Sequence, residues 1–399
     1  MSHSKRFCII AINYAPEVTG CGPYTTDLAE RLVNEGHQVT VIAGLTHYPQ
    51  WRVPLEYRHL SSGSEVLNGV KVKRCWIYVP KRMTAVTRIA YEFSFLVTAW
   101  WKSRKEEPDV VIAVSPALGD MIVGARLASR RQAPYGILVQ DLMAAATTQS
   151  NISGGGKVSR IASAIETRYL QRAESVATIT ESFAVSVEKL GVATEKIFIS
   201  PNYSVKEIER MDKNEARQRM GWNEDLFILT HTGNMGLKQD LGNVIEAIKL
   251  VDDSSVRLML VGDGSQRSEL EVLARGESRI QFMDLVPEDT YSALLAASDV
   301  LLINEAPTVT DMSLPSKLTS YEASGQVILG AVVPGGNTSK ALEIVARSHQ
   351  VTAGDAAALS SYIRKLIYPD AISYVTEAEP ELARLDDSRN IRISWATNL

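Results

Sequence analysis

Cysteine is scarce in this chain: three in 399 residues, at Cys8, Cys21 and Cys75. They form no CxxC pair and no even framework. That argues against a disulfide scaffold and a cysteine-held zinc, and it points to a reducing, cytoplasmic compartment. No stretch approaches the roughly 20 apolar residues of a membrane-spanning helix. The opening MSHSKRFCIIAINYAPEV is interrupted by Asn13 and Pro16 too soon for a signal peptide, and reads as a buried first strand. Asp-x-Asp is absent, so a nucleotide-bound divalent metal has no obvious ligands, and no metal is expected. HExxH, GxSxG and the Walker GxxxxGK[ST] are absent too. No basic run interleaved with aromatics resembles a nucleic-acid groove.

What is present is ordinary in bulk and uneven in charge. Hydrophobic residues make up 45% and charged residues 22%, over a length that suits two domains. Residues 1–200 hold 23 Lys and Arg against 17 Asp and Glu, and residues 201–399 hold 19 against 29. A first half at +6 beside a second half at -10 points to an anionic partner for the first half, such as a membrane surface or a phosphorylated ligand.

Short apolar runs alternate with amphipathic runs almost throughout: RFCIIAI then YTTDLAERLVNEG, DVVIAVS then DMIVGARLASRRQ, LFILTHT then NVIEAIKLV. This alternation predicts parallel sheets covered by helices on both faces, an α/β fold. The units are too many for one sheet. Two Rossmann-like domains are expected, 1–200 and 201–375, with the seam at Pro201. SGGGK, Ser153 to Lys157, reads as a flexible loop inside the first domain.

Ligands of open parallel sheets sit beyond the carboxyl ends of the strands, which singles out five segments. In FILTHTGNMGLKQDL, Gly233 and Gly236 permit a tight turn, Asn234 lies between them, Lys238 adds a charge, and a helix start follows. The spacing fits a phosphate site and equally an ordinary strand-to-helix turn. SLPSKL places Pro315 in a first helical turn, with Ser316, Lys317 and Leu318 at an anion-friendly helix start or a plain one. Gly20 and Gly22 precede a helix after the first strand, with Glu17 beside them as a structural partner rather than a catalyst. Asp141, just past GILVQ, faces the ligand side as a base or sugar-hydroxyl acceptor, or else serves as a cap. VGDGSQ holds only two glycines of a dinucleotide fingerprint.

Taken in order, NYAPEVTGCGPY, YPQW, VQDL, SPN, TGNMGLKQDL, VGDG and LPSKLTSYEASG resemble the GT4-type glycosyltransferases of the GT-B fold. The WcaI-like branch of exopolysaccharide synthesis is the most similar. The resemblance reaches to about residue 345. It implies two Rossmann-like domains facing across a cleft, with a nucleotide-sugar in it and residues 376–399 returning to the first domain. It also implies Lys238 on the donor pyrophosphate, with Asn234 where many relatives carry arginine. Gly20, Gly22, Gly233, Gly236, Ser316 and Lys317 would lie around the phosphates, Leu285 and Val286 beside the base, and Asp141 at the transferred sugar. Retention of anomeric configuration is implied, as is a lipid-linked or polysaccharide acceptor. The family's pair of glutamates is missing: Met312 and Ser320 stand at those positions, and Glu305 or Asp311 are the available substitutes. That gap leaves two alternatives to transfer, a catalytically silent assembly partner and a nucleotide-sugar epimerase.

Residues 81–107 combine Lys81, Arg82, Arg88, Lys102, Arg104 and Lys105 with Phe93, Phe95, Trp100 and Trp101. They read either as a helix lying on an anionic membrane, at the inner face of the cytoplasmic membrane, or as a domain helix with one buried face.

Overall fold

A computed structural model of the protein describes residues 4–17, 20–48, 51–80, 84–142, 156–203, 208–309, 314–368 and 390–399. Its contacts divide the chain into two units, Met1–Val205 with Asp386–Leu399, and Lys206–Leu385.

The first unit is built on an eight-stranded sheet in the order β3-β4-β2-β1-β5-β6-β7-β8. The strands are β1 (Arg6–Ala11), β2 (Gln38–Gly44), β3 (Ser64–Leu67), β4 (Val70–Cys75), β5 (Val110–Ser115), β6 (Tyr135–Val139), β7 (Ser175–Thr178) and β8 (Ile197–Ile199). All neighbours run parallel except β3 and β4. VVIAVS of β5 is buried along its whole length, as a strand covered on both faces must be. Helices α1 (Gly22–Asn34), α2 (Ala85–Ser103) and α3 (Leu118–Arg131) are among those that pack on it. The loop expected at SGGGK gives way by Gly156, because Gly156 and Lys157 already open the helix Gly156–Arg172. Residues 153–155 lie outside the described residues.

Residues 390–397 are helical and belong to this first unit. Arg392 is fully buried there. Its guanidinium donates to Ser200 Oγ at 3.0 Å, to the carbonyls of Ser200 and Pro201 and to Asn202 Oδ1, and it lies 4.9 Å from the Tyr203 ring centroid. These bonds carry the first unit past the expected seam at Pro201. Trp395 Nε1 donates to Ser175 Oγ at 2.7 Å. Its ring and Leu399 fill the space above Gly136, where an added Cβ would lie 2.4 Å from Leu399 Cδ1.

The second unit holds a six-stranded sheet in the order β11-β10-β9-β12-β13-β14. Its strands are β9 (Phe227–Asn234), β10 (Val256–Asp263), β11 (Ile280–Met283), β12 (Val300–Asn304), β13 (Val327–Val332) and β14 (Ser348–Thr352), all parallel. In each unit the first strand is flanked by one that follows it and one reached by a crossover: β1 by β2 and β5, β9 by β10 and β12. Those reversals of strand order open a crevice at the carboxyl ends. Asn13, Ser115 and Asp141 lie there in the first unit, and His231, Gly233, Asn304 and Glu305 in the second.

Candidate functional site

In the second unit, β9 does not stop at Gly233. It continues to Asn234, because Gly233 and Asn234 pair with Gly262 and Asp263 of β10. Gly233 holds φ +103° and Gly262 holds φ +141°, conformations an L side chain rarely adopts. The two backbones are so close that a Cβ on Gly262 would sit 1.9 Å from the Gly233 carbonyl oxygen. A Cβ on Gly264 would come within 2.6 Å of the Met235 backbone. Met235 N donates to Asp263 O and Gln266 N to Met235 O, each at 2.9 Å. The glycines of VGDG therefore serve to support the turn of TGNMG.

Two tyrosines fix the strand end from behind. Thr232 N donates to the Tyr321 hydroxyl at 2.9 Å, and Thr232 Oγ1 lies 3.2 Å from the Tyr291 hydroxyl. Asn304 Nδ2, at the end of β12, donates to the carbonyls of Gln239 and Asp240 at 2.8 and 2.9 Å. Lys238 does not open the following helix. It sits exposed in a single 3-10 turn, Leu237–Gln239, and the helix Leu241–Leu250 begins only after Asp240 at φ 41°. The Gly236 amide donates to Gln239 Oε1 at 3.1 Å, as does Asn234 Nδ2 at 3.2 Å. An incoming anion would compete with Gln239 for that amide.

Lys317 is the more consequential cation. It opens the helix Lys317–Ser324, with Ser316 at the cap and Pro315 before it. Its half-buried side chain sets the ammonium against His231, 3.0 Å from Nε2 and 3.3 Å from Nδ1, and beside Gly233. Burial pushes the Lys317 pKa down to about 7, with Glu305 opposing. Burial and the neighbouring Lys317 hold His231 neutral, well below the ordinary histidine range. Glu305 is itself buried and accepts from Thr338 Oγ1 at 2.6 Å, and burial raises its pKa. Thr338 was not singled out in the sequence. The signal was PGGNTS after β13, a third strand-to-helix turn of the same kind. Leu318 turns its side chain into the core and its amide to the Pro315 carbonyl. Leu285, exposed, and Val286, packed on the core, follow β11. Asp311 lies outside the described residues.

In the first unit, Gly20 (φ +69°) and Gly22 carry the chain into α1. A Cβ on Gly22 would lie 3.2 Å from the Glu17 carbonyl oxygen, so the loop needs glycine to rest on the helix start. Glu17 is buried; its carboxylate accepts from His47 N at 2.9 Å, Tyr48 N at 3.0 Å and Asn13 Nδ2 at 2.7 Å. It ties two loops together, the structural role its position indicated. Asp141 is half-buried past β6; its Oδ1 accepts from Leu142 N at 2.8 Å and its carbonyl from Ser115 Oγ at 2.6 Å. Asp120 went unnoticed in SPALGD. One carboxyl oxygen accepts from Ile12 N at 3.0 Å, while the other has no hydrogen-bond partner among the described residues. Burial pushes its pKa well up. With Asn13, Cys21, Ser115 and Pro116 it lines a small recess at the ends of β1 and β5. Among the described residues no group of three or more His, Cys, Asp or Glu is arranged to hold a metal ion.

Two parallel-sheet units, each with its crevice at a reversal of strand order, define the GT-B architecture. Comparison with known proteins gives the family. The model described as "Glycosyl transferase 4-like domain" matches residues 19–203, and "Glycosyl transferases group 1" matches residues 227–368. The chain belongs to the GT4-type glycosyltransferases of the GT-B fold and is WcaI-like within them. It is 34% identical over 335 residues to the putative colanic acid biosynthesis glycosyl transferase WcaI of Escherichia coli K12, covering 80% of this chain and 81% of that one. Solved structures share the fold at low identity. Sucrose-phosphate synthase of Thermosynechococcus elongatus matches with a TM-score of 0.71 at 14% identity, over 98% of this chain and 95% of that one. Anabaena HepE in complex with UDP-glucose matches at 0.62 and 14%, over 99% and 95%. WaaG, a glycosyltransferase of lipopolysaccharide biosynthesis, matches at 0.65 and 15%, over 98% and 95%.

Proposed function

We propose that the protein moves a sugar, of hexose type, from a nucleoside-diphosphate sugar to a hydroxyl of a lipid-linked or polysaccharide acceptor. The reaction proceeds with retention and without metal, in exopolysaccharide or cell-surface glycan synthesis. The observation that carries this reading is the half-buried Lys317, its ammonium set between His231 and the Gly233 turn at the carboxyl end of β9. A cation held there by the sheet meets the charge that grows on a leaving diphosphate. Lys238, exposed on the neighbouring 3-10 turn, adds a second charge. The relatives supply the setting: one is named for colanic acid biosynthesis, and one was solved with UDP-glucose. His231 is buried and neutral against Lys317, which does not favour it as an epimerase acid. Incubation with a panel of UDP-, GDP- and ADP-sugars tests the reading. Release of the diphosphate with a glycosylated product is expected; an altered, untransferred sugar, or binding without turnover, overturns it.

Activity is expected to survive excess EDTA, since two lysines and backbone amides take the place of a metal. Full loss on chelation, restored by Mn²⁺ or Mg²⁺, would sink that part of the proposal. Lys238→Ala should weaken diphosphate binding by about 1.5–3 kcal/mol, the scale of a lost charged hydrogen bond. Asp141→Asn, in the first unit, should leave that affinity nearly unchanged while turnover falls. Calorimetric titration beside single-turnover rates separates the two. Wild-type affinity in Lys238→Ala would reduce GNMGLKQDL to a turn.

A further inference from the structure

Helix α2 is apolar on both faces. Its inner face, with Tyr91, Phe95 and Ala99, joins the core of the first unit, where Gly119 lets α3 approach Phe95. Its outer face presents Val86, Ile89, Phe93, Val97, Trp100 and Trp101, from 45% to 75% exposed. Their spacing of three and four residues puts them on one stripe. No charged residue falls among the stripe positions: Arg88 lies off it and Glu92 turns inward, toward Gly119 N. Nothing among the described residues covers the stripe. The chain leaving β4 extends it, because Thr98 Oγ1 donates to Trp76 O at 2.9 Å and Tyr78 N to Ser94 Oγ at 2.8 Å. Trp76 and Tyr78 are exposed alongside.

At the carboxyl end of α2 the stripe runs into a shallow basic cavity of about 310 Å³. Trp101 belongs to both. Lys73, Lys102, Arg104 and Lys105 line the cavity with Gly63 and Ser64. Arg104 stacks on Trp101, 4.7 Å from the ring centroid. Lys102 donates to the Arg74 carbonyl, and Lys73 pairs with Glu106. Glu107 is directed to Arg131 at 3.4 Å. With Glu106 counted, the lining stays strongly positive. Tryptophan sits where apolar surface gives way to charge, the order of layers in a bilayer interface.

We propose that this face binds an anionic phospholipid bilayer, with the α2 stripe in the acyl boundary and a lipid phosphate in the cavity of Lys102, Arg104 and Lys105. Hydrocarbon fits an uncharged stripe wide enough to need cover, and a phosphodiester fits a cation cluster at one end of it. No described helix is long and apolar enough to cross a membrane, so the contact is a surface one. Lys81 and Arg82 lie outside the described residues. The inference stands independently of the sugar-transfer reading.

Co-sedimentation of the full chain with vesicles tests it. Binding is expected to phosphatidylcholine vesicles carrying phosphatidylglycerol, to weaken with salt, and to be at least about tenfold weaker on phosphatidylcholine alone. Phe93→Ser with Trp100→Ser should abolish it. Arg104→Gln with Lys105→Gln should weaken it about 30-fold, at roughly 1 kcal/mol per charge. Lys340→Gln, in the second unit, should leave it unchanged. Phe93, Trp100, Lys105 and Lys340 are exposed and Arg104 is half-buried, so melting temperatures should hold and folding stays separable from binding. Equal binding to both vesicle types, no binding, or a stripe that proves to join two copies of the chain in sedimentation velocity overturns the proposal.

Discussion

Lys317→Met is expected to slow sugar transfer by about 10²–10³-fold, the scale of removing one preorganised donor from a developing oxyanion. The variant should melt no lower than the parent at pH 7, because it replaces a partly desolvated cation with an apolar chain of similar length. Lost activity without lost stability separates a binding role from a packing role. The protonation of Lys317 gives a second readout. With its pKa brought down to about 7, the free side chain loses its proton as pH rises through neutrality. A bound diphosphate would favour the ammonium, so binding above neutral pH should take up part of a proton, and affinity should fall as pH rises through 7 and beyond. Calorimetry in buffers of different ionisation enthalpy reads that proton directly. Uptake that persists in Lys317→Met assigns it elsewhere and removes the mechanism.

Gly262→Ala is expected to be the most damaging small substitution in the second unit. Its Cβ has nowhere to go: the nearest atom is a backbone oxygen of the neighbouring strand, and φ +141° is itself strained for alanine. Strain of roughly 1–3 kcal/mol adds to the displacement of β9, so a loss above about 3 kcal/mol is expected. The displaced turn carries Gly233 and Met235, so diphosphate affinity should drop as well. Hydrogen exchange followed by mass spectrometry should show protection lost in peptides of 227–368 and retained in β1, β5 and β6. Parent-like exchange throughout would mean the two strands do not touch as described.

Much of this was legible beforehand because it is local. FILTHT and VRLMLV announce strands by composition, and the two-sheet reading follows from their number. Position in the sheet is not local. Lys238 and Lys317 look alike in the sequence, each a lysine at a helix start. The fold sets Lys317 half-buried against His231 of β9 and leaves Lys238 exposed on its 3-10 turn. VGDG resembled a weak ligand motif because glycine permits close approach to anything, and here that is the next strand. The outward stripe of α2 was ambiguous for a related reason. Its core face and its outer face both repeat apolar residues at three- and four-residue spacing, so the pattern alone does not say which is covered. Thr338 and Asp120 were missed because a threonine and an aspartate at helix starts are usually plain caps.

The helix of residues 390–397 has a consequence for synthesis. Arg392 and Trp395 complete the first unit, yet they leave the ribosome only after the whole second unit has been made. Until then Gly136 and Ser175 wait beside an open recess, and Ser200 lacks its guanidinium. Vectorial folding would therefore finish the later unit first and seal the earlier one last. A nonsense mutation near residue 390 would damage the half of the protein translated first, with every residue of its sheet still present.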